Sequence, residues 1–421
     1  MQICSDTRKP LKGAIFFALK GPNFNANSFA EQALAGGCAA AVVDDPQYAE
    51  AEGTVYVNNV LESLQNLARH HRRQFNIPVF AITGSNAKTT TKELMHAVIS
   101  KKYNCLATEG NLNNHLGVPF TLLKLRSEHQ FAIIEMGANH QGEIALLCGI
   151  AEPGYGLITN IGKAHLEGFG GIEGVKKGKG ELYRYLEDNN GTIILNGDDA
   201  TLGSITGSTA KFTYGATKRF DVMGRDCTAA DTVSFKFTSR YGEHNWDLLP
   251  LIETKMTGGY NFINCLAAVA VGMYFKVPEP DIISGISSYS PQMNRSQLLN
   301  TANNTILLDA YNANPDSMVV AIENFEKHHA SKKMLLLGDM FELGEYSGAE
   351  HKKIVDLLAE KGFQNVYLVG REFQKVAGNR FRTFESTEAC KKFLQLNIVS
   401  GYTVLIKGSR SMKMESLREA L

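Results

Sequence analysis

Pro78-Val79-Phe80-Ala81-Ile82-Thr83-Gly84-Ser85-Asn86-Ala87-Lys88-Thr89-Thr90-Thr91-Lys92-Glu93 is the stretch on which the reading of the fold turns. Its first six residues are a continuous apolar run closed by Gly84, the pattern of a strand buried on both faces of a parallel sheet. A tight polar loop follows and leads straight into a helical pattern. Strand, loop and helix N-terminus together aim backbone N–H groups and a positive dipole end at a phosphate. In such a loop Gly84, Ser85, Asn86, Ala87 and Thr90 cradle the nucleotide, Lys88 reaches the β and γ phosphates and Thr89 holds Mg²⁺. The loop is shorter than G-x-x-x-x-G-K-[ST], and Ala87 stands where a glycine is expected. Taken alone it also reads as a helix N-cap beside a surface lysine. If position 87 requires φ > 0, an L-residue there costs about 1–2 kcal/mol.

Outward from this stretch, further runs alternate with helical patterns: Phe131–Glu135, Gly156–Asn160 and Thr192–Asn196 as strands, Val233–Thr238 as an antiparallel strand, and Tyr260–Phe275 as an apolar helix across the sheet. The rhythm divides the chain into residues 1–76, 77–290 and 291–421. The first block has short strands at 14–19 and 39–43, a helical stretch near 28–36 and a closing helix at 61–74. The last has strands at 305–309, 334–338, 366–370 and 403–407, with helices at 315–328 and 349–361, the rhythm of a doubly wound α/β domain. The fold class is therefore α/β with three domains: a small N-terminal one, a central P-loop-type parallel-sheet ATPase domain and a C-terminal Rossmann-like domain. Such sheets bind ligands at the C-terminal ends of their strands, where the polar motifs of this chain fall.

Composition sets limits on the rest. The 421 residues carry 43 Lys+Arg and 43 Asp+Glu, so nothing general attracts nucleic acid or an anionic membrane. The seven cysteines are scattered and never form C-x-x-C, which argues against a disulfide framework or a zinc site and for a reducing compartment. The longest apolar run, Cys265–Phe275, is shorter than the ~18–20 residues of a membrane helix. These features describe a cytoplasmic protein without membrane insertion.

Several residues near strand ends are candidates for chemistry. Glu135 ends a strand beside the phosphate loop, where a second metal ligand is needed, although a polar strand end is equally ordinary. His165 follows another strand at the same rim, and a lone histidine is more often a surface or core residue. Lys179 lies in Gly174-Val175-Lys176-Lys177-Gly178-Lys179-Gly180-Glu181, which by itself reads as a solvated basic helix start. Asn111-Leu112-Asn113-Asn114 and Asp309-Ala310-Tyr311-Asn312-Ala313-Asn314-Pro315 are turn-forming strings that need no ligand.

Together these strings resemble the ATP-dependent Mur ligases across essentially the whole chain. The marks are Ser5-Asp6-Thr7-Arg8, Phe16-Phe17-Ala18-Leu19-Lys20-Gly21, Lys88 to Glu93, Glu109 to Asn114 with Gly117-Val118-Pro119, Ala164-His165-Leu166-Glu167, Tyr311 to Met318, Gly338 to Glu345 and Lys407-Gly408-Ser409-Arg410. The last three resemble the branch that adds D-alanyl-D-alanine to a UDP-N-acetylmuramoyl-tripeptide. That resemblance implies a cytoplasmic ligase of peptidoglycan synthesis, hence of cell-wall biogenesis, cell shape and cell division. ATP phosphorylates the tripeptide carboxylate, and the dipeptide amine attacks the acyl phosphate, releasing ADP and phosphate.

The resemblance also assigns residues. Lys88, His165, Lys179 and Arg295 are catalytic; Thr89 and Glu135 hold one Mg²⁺, and His165 with a carbamoylated Lys179 supports a second. Asn264 meets adenine, Arg295 the phosphates and Asp309 the ribose. Ser5, Asp6 and Arg8 lie in the UDP site, Asn113 and Asn114 near substrate, and Tyr311, Asn312, Asn314, Glu342, Lys407, Ser409 and Arg410 toward the dipeptide. Three domains of a monomer converge on one cleft. Against the family pattern, Tyr260 replaces a common histidine, Leu308 the first of two aspartates, and Asn25-Ala26-Asn27 a Gly-His string. Rival readings are a non-catalytic or impaired relative, because of Ala87, and a folylpolyglutamate-synthase-like ligase.

Overall fold

The computed structural model describes residues 2–8, 12–228, 232–292 and 294–421. Its centre is a nine-stranded sheet in the order Cys105–Ala107, Phe131–Glu135, Val79–Thr83, Tyr155–Ile158, Thr192–Asn196, Ala210–Gly215, Val222–Asp226, Thr232–Ser239, Ile252–Thr257. Neighbours are parallel as far as Val222–Asp226, and the last two strands add antiparallel. The apolar run at 79–82 alternates between two cores. Phe80 and Ile82 pack with the helices Lys88–Ile99 and Asn261–Tyr274, while Val79 and Ala81 face the opposite layer, which includes the helix Glu143–Ala151.

Strand Val79–Thr83 lies where the chain reverses direction across the sheet. It leaves toward Cys105–Ala107, returns through Phe131–Glu135, then crosses to Tyr155–Ile158 on the other side. That reversal opens a crevice at the strand ends. Gly84 makes the tight exit possible: its φ is +141°, and a Cβ there would collide with the Thr159 hydroxyl.

The C-terminal sheet runs Gln297–Asn300, Thr305–Asp309, Thr403–Lys407, Lys333–Gly338, Val366–Val369, Arg382–Phe384, parallel except for the first strand. Its own reversal pairs Asp309 with Lys407 across neighbouring strand ends. The N-terminal sheet has four short parallel strands, Ile3–Cys4, Ile15–Phe17, Ala40–Val43 and Thr54–Tyr56. The helix Val60–Arg72 that follows packs on the helices Gly117–Leu122 and Glu143–Ala151 of the central layer.

Candidate active site

Between the central and C-terminal sheets lies a cleft of about 780 Å³ lined by both, and no lining residue comes from the N-terminal sheet among the described residues. The phosphate loop forms one wall. Ala87 is left-handed, φ 62° and ψ 8°, so the position does require φ > 0, and this chain meets the requirement at a cost of about 1–2 kcal/mol. Lys88 opens the helix Lys88–Ile99 and donates to the Gly84 carbonyl at 2.6 Å. Desolvation pushes its ammonium down to about 8, with Glu135 opposing and Arg295 adding to the shift.

Glu135 is fully buried at the end of its strand. Its Oε1 accepts from Thr89 Oγ1 at 3.1 Å and from Asn113 Nδ2 at 2.7 Å; Oε2 has no hydrogen bond and lies 3.6 Å from Lys92 Nζ. A buried carboxylate oxygen without a hydrogen bond beside a hydroxyl is a hard-oxygen pair suited to Mg²⁺, which takes one or two protein ligands and completes its shell with phosphates and water. Among the described residues no three His, Cys, Asp or Glu side chains gather into a metal cluster, so Thr89 and Glu135 fit that partial mode and no all-protein cage. Lys92 is a site residue the sequence reading passed over; its spacing of four from Lys88 places both on one helix face.

Lys179 overturns the solvated-helix reading of its basic run. Its side chain is fully buried, donates to the Ala138 carbonyl at 2.8 Å and lies 5.0 Å from the Phe169 ring centre, while Lys177 is exposed. Burial holds its amine well below the usual lysine range, the Lys88 charge adds to this, and Glu143 and Glu181 oppose it. His165 is left-handed at φ 54°, and its Nδ1 lies 2.5 Å from Glu342 Oε2 of the C-terminal unit.

The C-terminal wall carries Arg295, Asp309, Tyr311, Asn312, Asn314, Glu342 and Lys407. Arg295 stacks on Tyr311 at 3.6 Å, between the left-handed residues Asn294 and Ser296. Lys407 Nζ pairs with Asp309 Oδ2 at 2.5 Å, and Asp309 Oδ1 accepts from the Ser296 N–H. Tyr260 shares a 2.7 Å hydrogen bond with Ser296 Oγ. Asn264 accepts from Thr91 Oγ1 and donates to Asn261. Asn114 lines the cleft while its side chain caps Gly117–Leu122 through the Leu116 and Gly117 N–H groups.

Other expected residues lie away from the cleft lining. Ser409 is buried, and its hydroxyl accepts from the Phe341 N–H; Arg410 donates to Glu415 and lies 5.5 Å from the Tyr311 ring centre. Ser5, Asp6 and Arg8 sit on the N-terminal unit, where Asp6 receives both Nε and Nη2 of Arg8. Gly84 and Lys179 are both buried and neither lines the cleft.

Two parallel-sheet units facing each other across a lysine-bearing phosphate loop and a buried strand-end glutamate define a nucleotide-dependent ligase architecture, and the chain belongs to the Mur ligase family. Residues 82–272 match the Mur ligase middle domain and residues 294–410 the Mur ligase glutamate ligase domain. Its relatives include the UDP-N-acetylmuramoyl-tripeptide–D-alanyl-D-alanine ligase of Escherichia coli, 36% identical over all of this chain and 93% of that protein. MurF from Acinetobacter baumannii superposes with a TM-score of 0.90 at 33% identity, over 99% of this chain and 92% of that one. MurF ligase from Thermotoga maritima, solved in complex with ADP, superposes at 0.87 with 25% identity, over 100% and 96% of the two chains.

Proposed function

We propose that this chain is an ATP-dependent ligase that adds D-alanyl-D-alanine to UDP-N-acetylmuramoyl-tripeptide. The observation that carries the reading is full-length identity to ligases of that name, joined to a cleft in which the phosphate loop meets Glu135. The same identity favours this reading over a folylpolyglutamate-synthase-like ligase. The γ-phosphoryl group passes to the tripeptide carboxylate, and the dipeptide amine then displaces phosphate from the acyl phosphate. Lys88 supplies positive charge where the transferred phosphoryl group gains negative charge. Thr89 and Glu135 would hold a Mg²⁺ that offsets phosphate charge. Asn113 and Lys92 hold the Glu135 carboxylate in place for that task.

Lys179 fits carbamoylation because burial favours its neutral amine, the form that adds to CO₂: the nitrogen lone pair forms the N–C bond, and a proton leaves to solvent. The resulting anion would support a second Mg²⁺ together with His165. Arg295, stacked on Tyr311, faces the phosphates; Asp309 and Asn264 take the ribose and adenine; Tyr311, Asn312, Glu342 and Lys407 face the dipeptide. Residues 1–76, with Ser5, Asp6 and Arg8, hold the UDP end, 77–290 bind ATP and 291–421 bring the dipeptide. The protein works as a cytoplasmic monomer; no helix of the described residues is long and apolar enough to cross a membrane.

The test is phosphate release from Mg-ATP with the UDP-tripeptide, with and without D-alanyl-D-alanine. Release that needs both, with a pentapeptide product, is expected. Tight binding of the UDP-tripeptide without release would favour the impaired relative.

A further inference from the structure

Asn86 is held on every polar atom of its backbone and on its side-chain oxygen. Its N–H donates to Asn160 Oδ1 at 3.0 Å, and its carbonyl accepts from Thr159 Oγ1 at 2.6 Å and Asn160 Nδ2 at 3.3 Å. These partners belong to the central unit, but the fourth does not: Asn86 Oδ1 accepts from Asn314 Nδ2 at 2.7 Å. Asn314 caps the helix Pro315–Lys327 of the C-terminal unit, where its Oδ1 accepts from the Ser317 N–H at 2.9 Å and the Ser317 hydroxyl completes a capping box. Two residues on, Asp316 Oδ2 accepts from the Lys163 N–H at 2.6 Å. One helix N-terminus of the C-terminal unit is thus bonded to the phosphate loop and to the loop beside it.

We infer that Asn314 is a positioning residue for nucleotide, which acts through Asn86 on the phosphate loop and contacts neither ATP nor the dipeptide. The Asn314 amide is engaged at both atoms, its oxygen by its own helix and one N–H by Asn86, which leaves a single N–H without a protein partner among the described residues. The residue after Asn86 is Ala87, whose left-handed backbone an alanine does not hold by preference. A loop of this kind depends on outside bonds to hold its shape; the N–H groups of Ser85 and Asn86 are themselves spent on Asn160, which leaves those at the start of the helix Lys88–Ile99 for a phosphate. Here one of those bonds comes from the other unit, so docking of the C-terminal unit and nucleotide binding become linked, each favouring the other. This inference rests on the ATP-binding reading above.

Asn314→Ser tests it, because serine keeps the helix cap but is too short to reach Asn86. Mg-ADP binding to the full chain, measured by calorimetry, is expected to weaken on the order of fivefold, as loss of one hydrogen bond gives. Asn86→Ala is expected to weaken it similarly, and the double variant no more than the weaker single one, since both remove the same bond. The KM for D-alanyl-D-alanine stays unchanged. Multiplying losses in the double variant, or a raised dipeptide KM with ADP binding intact, would overturn the inference. Hydrogen exchange at the amides of residues 85–90 reads the link without any nucleotide: faster exchange in Asn314→Ser supports it, and unchanged exchange overturns it. Failure of the unaltered protein to bind Mg-ADP would instead count against the ATP reading, with the exchange measurement still deciding the link.

Discussion

The phosphate loop and the Ser5-Asp6-Thr7-Arg8 string are held in opposite ways. The loop is strained at Ala87, tied by bonds from Thr159, Asn160 and Asn314, and backed by the buried Glu135 and Lys92. In the N-terminal string the Arg8 side chain is 86% exposed and pairs with Asp6 two residues away. Both Arg8 and Lys88, which donates to the Gly84 carbonyl, must trade a local partner for a ligand, but the backbone around Lys88 is fixed by several bonds from outside the loop. Electrostatic preorganisation of the second kind is where rate is made; the first kind contributes to binding.

This contrast sets the order of expected effects. If Lys88 faces the phosphoryl group as proposed, Lys88→Ala removes that charge, and phosphate release is expected to fall about 10³-fold; retained turnover would end the assignment of the loop. Lys179→Ala is expected to cost on the order of 10²-fold, the range seen when one preorganised charge is removed, while millimolar short carboxylates partly restore turnover in place of the carbamate. A folded Lys179→Ala protein that no carboxylate rescues would leave carbamoylation without support.

Arg8→Ala is expected to raise the KM for the UDP-tripeptide about tenfold with kcat unchanged, because a charged hydrogen bond to ligand is lost from binding alone. Its melting temperature stays the same, since an exposed pair holds little of the fold. An effect on kcat would break the comparison by making the N-terminal string part of the chemistry. Ala87→Gly is the smallest change: relief of the left-handed strain, partly offset by a freer unfolded chain, stabilises by about 0.5–1 kcal/mol in denaturant titrations. Turnover stays within about fivefold on that scale of energy. A rise of several orders of magnitude would mean that the Ala87 methyl obstructs the phosphates.

Strands buried on both faces were the most readable part of the chain. Phe131–Glu135, Thr192–Asn196, Thr305–Asp309 and Thr403–Lys407 begin and end where their apolar runs do. The strands Val222–Asp226 and Ile252–Thr257 escaped notice because Arg225, Asp226, Glu253 and Lys255 interrupt the hydrophobic signal toward the open edge of the sheet. The short helices Glu143–Ala151 and Glu181–Asp188 were also missed; the helix Ile172–Lys179 was anticipated only as a solvated start, so the burial of Lys179 was hidden by the charge around it. Within the site, Thr89 and Glu135 were legible from strand and loop order. Their support by Asn113 and Lys92, the His165–Glu342 pair and the Asn86–Asn314 bond were not, because each joins segments whose meeting depends on how helices and sheets pack. The second-sheet ends show the same limit: Asp309 and Lys407 were assigned to different ligands, yet the register places them in one ion pair.

The helix Val60–Arg72 belongs to the first stretch of chain but packs on helices from 117–122 and 143–151, and Arg72 bonds to the carbonyls of Ala151 and Glu152. On a ribosome this order of synthesis matters. The first four short strands emerge and pair with a small core of their own, but the helix that covers them meets its first partner helix only once residue 122 has left the exit tunnel, and its second once residue 151 has. At about 5–20 residues per second, that is a wait of several seconds with an apolar helix face open to solvent. The N-terminal unit therefore completes its folding as a client of the central one, and a nascent chain ending before residue 117 leaves the central-facing side of the helix Val60–Arg72 uncovered.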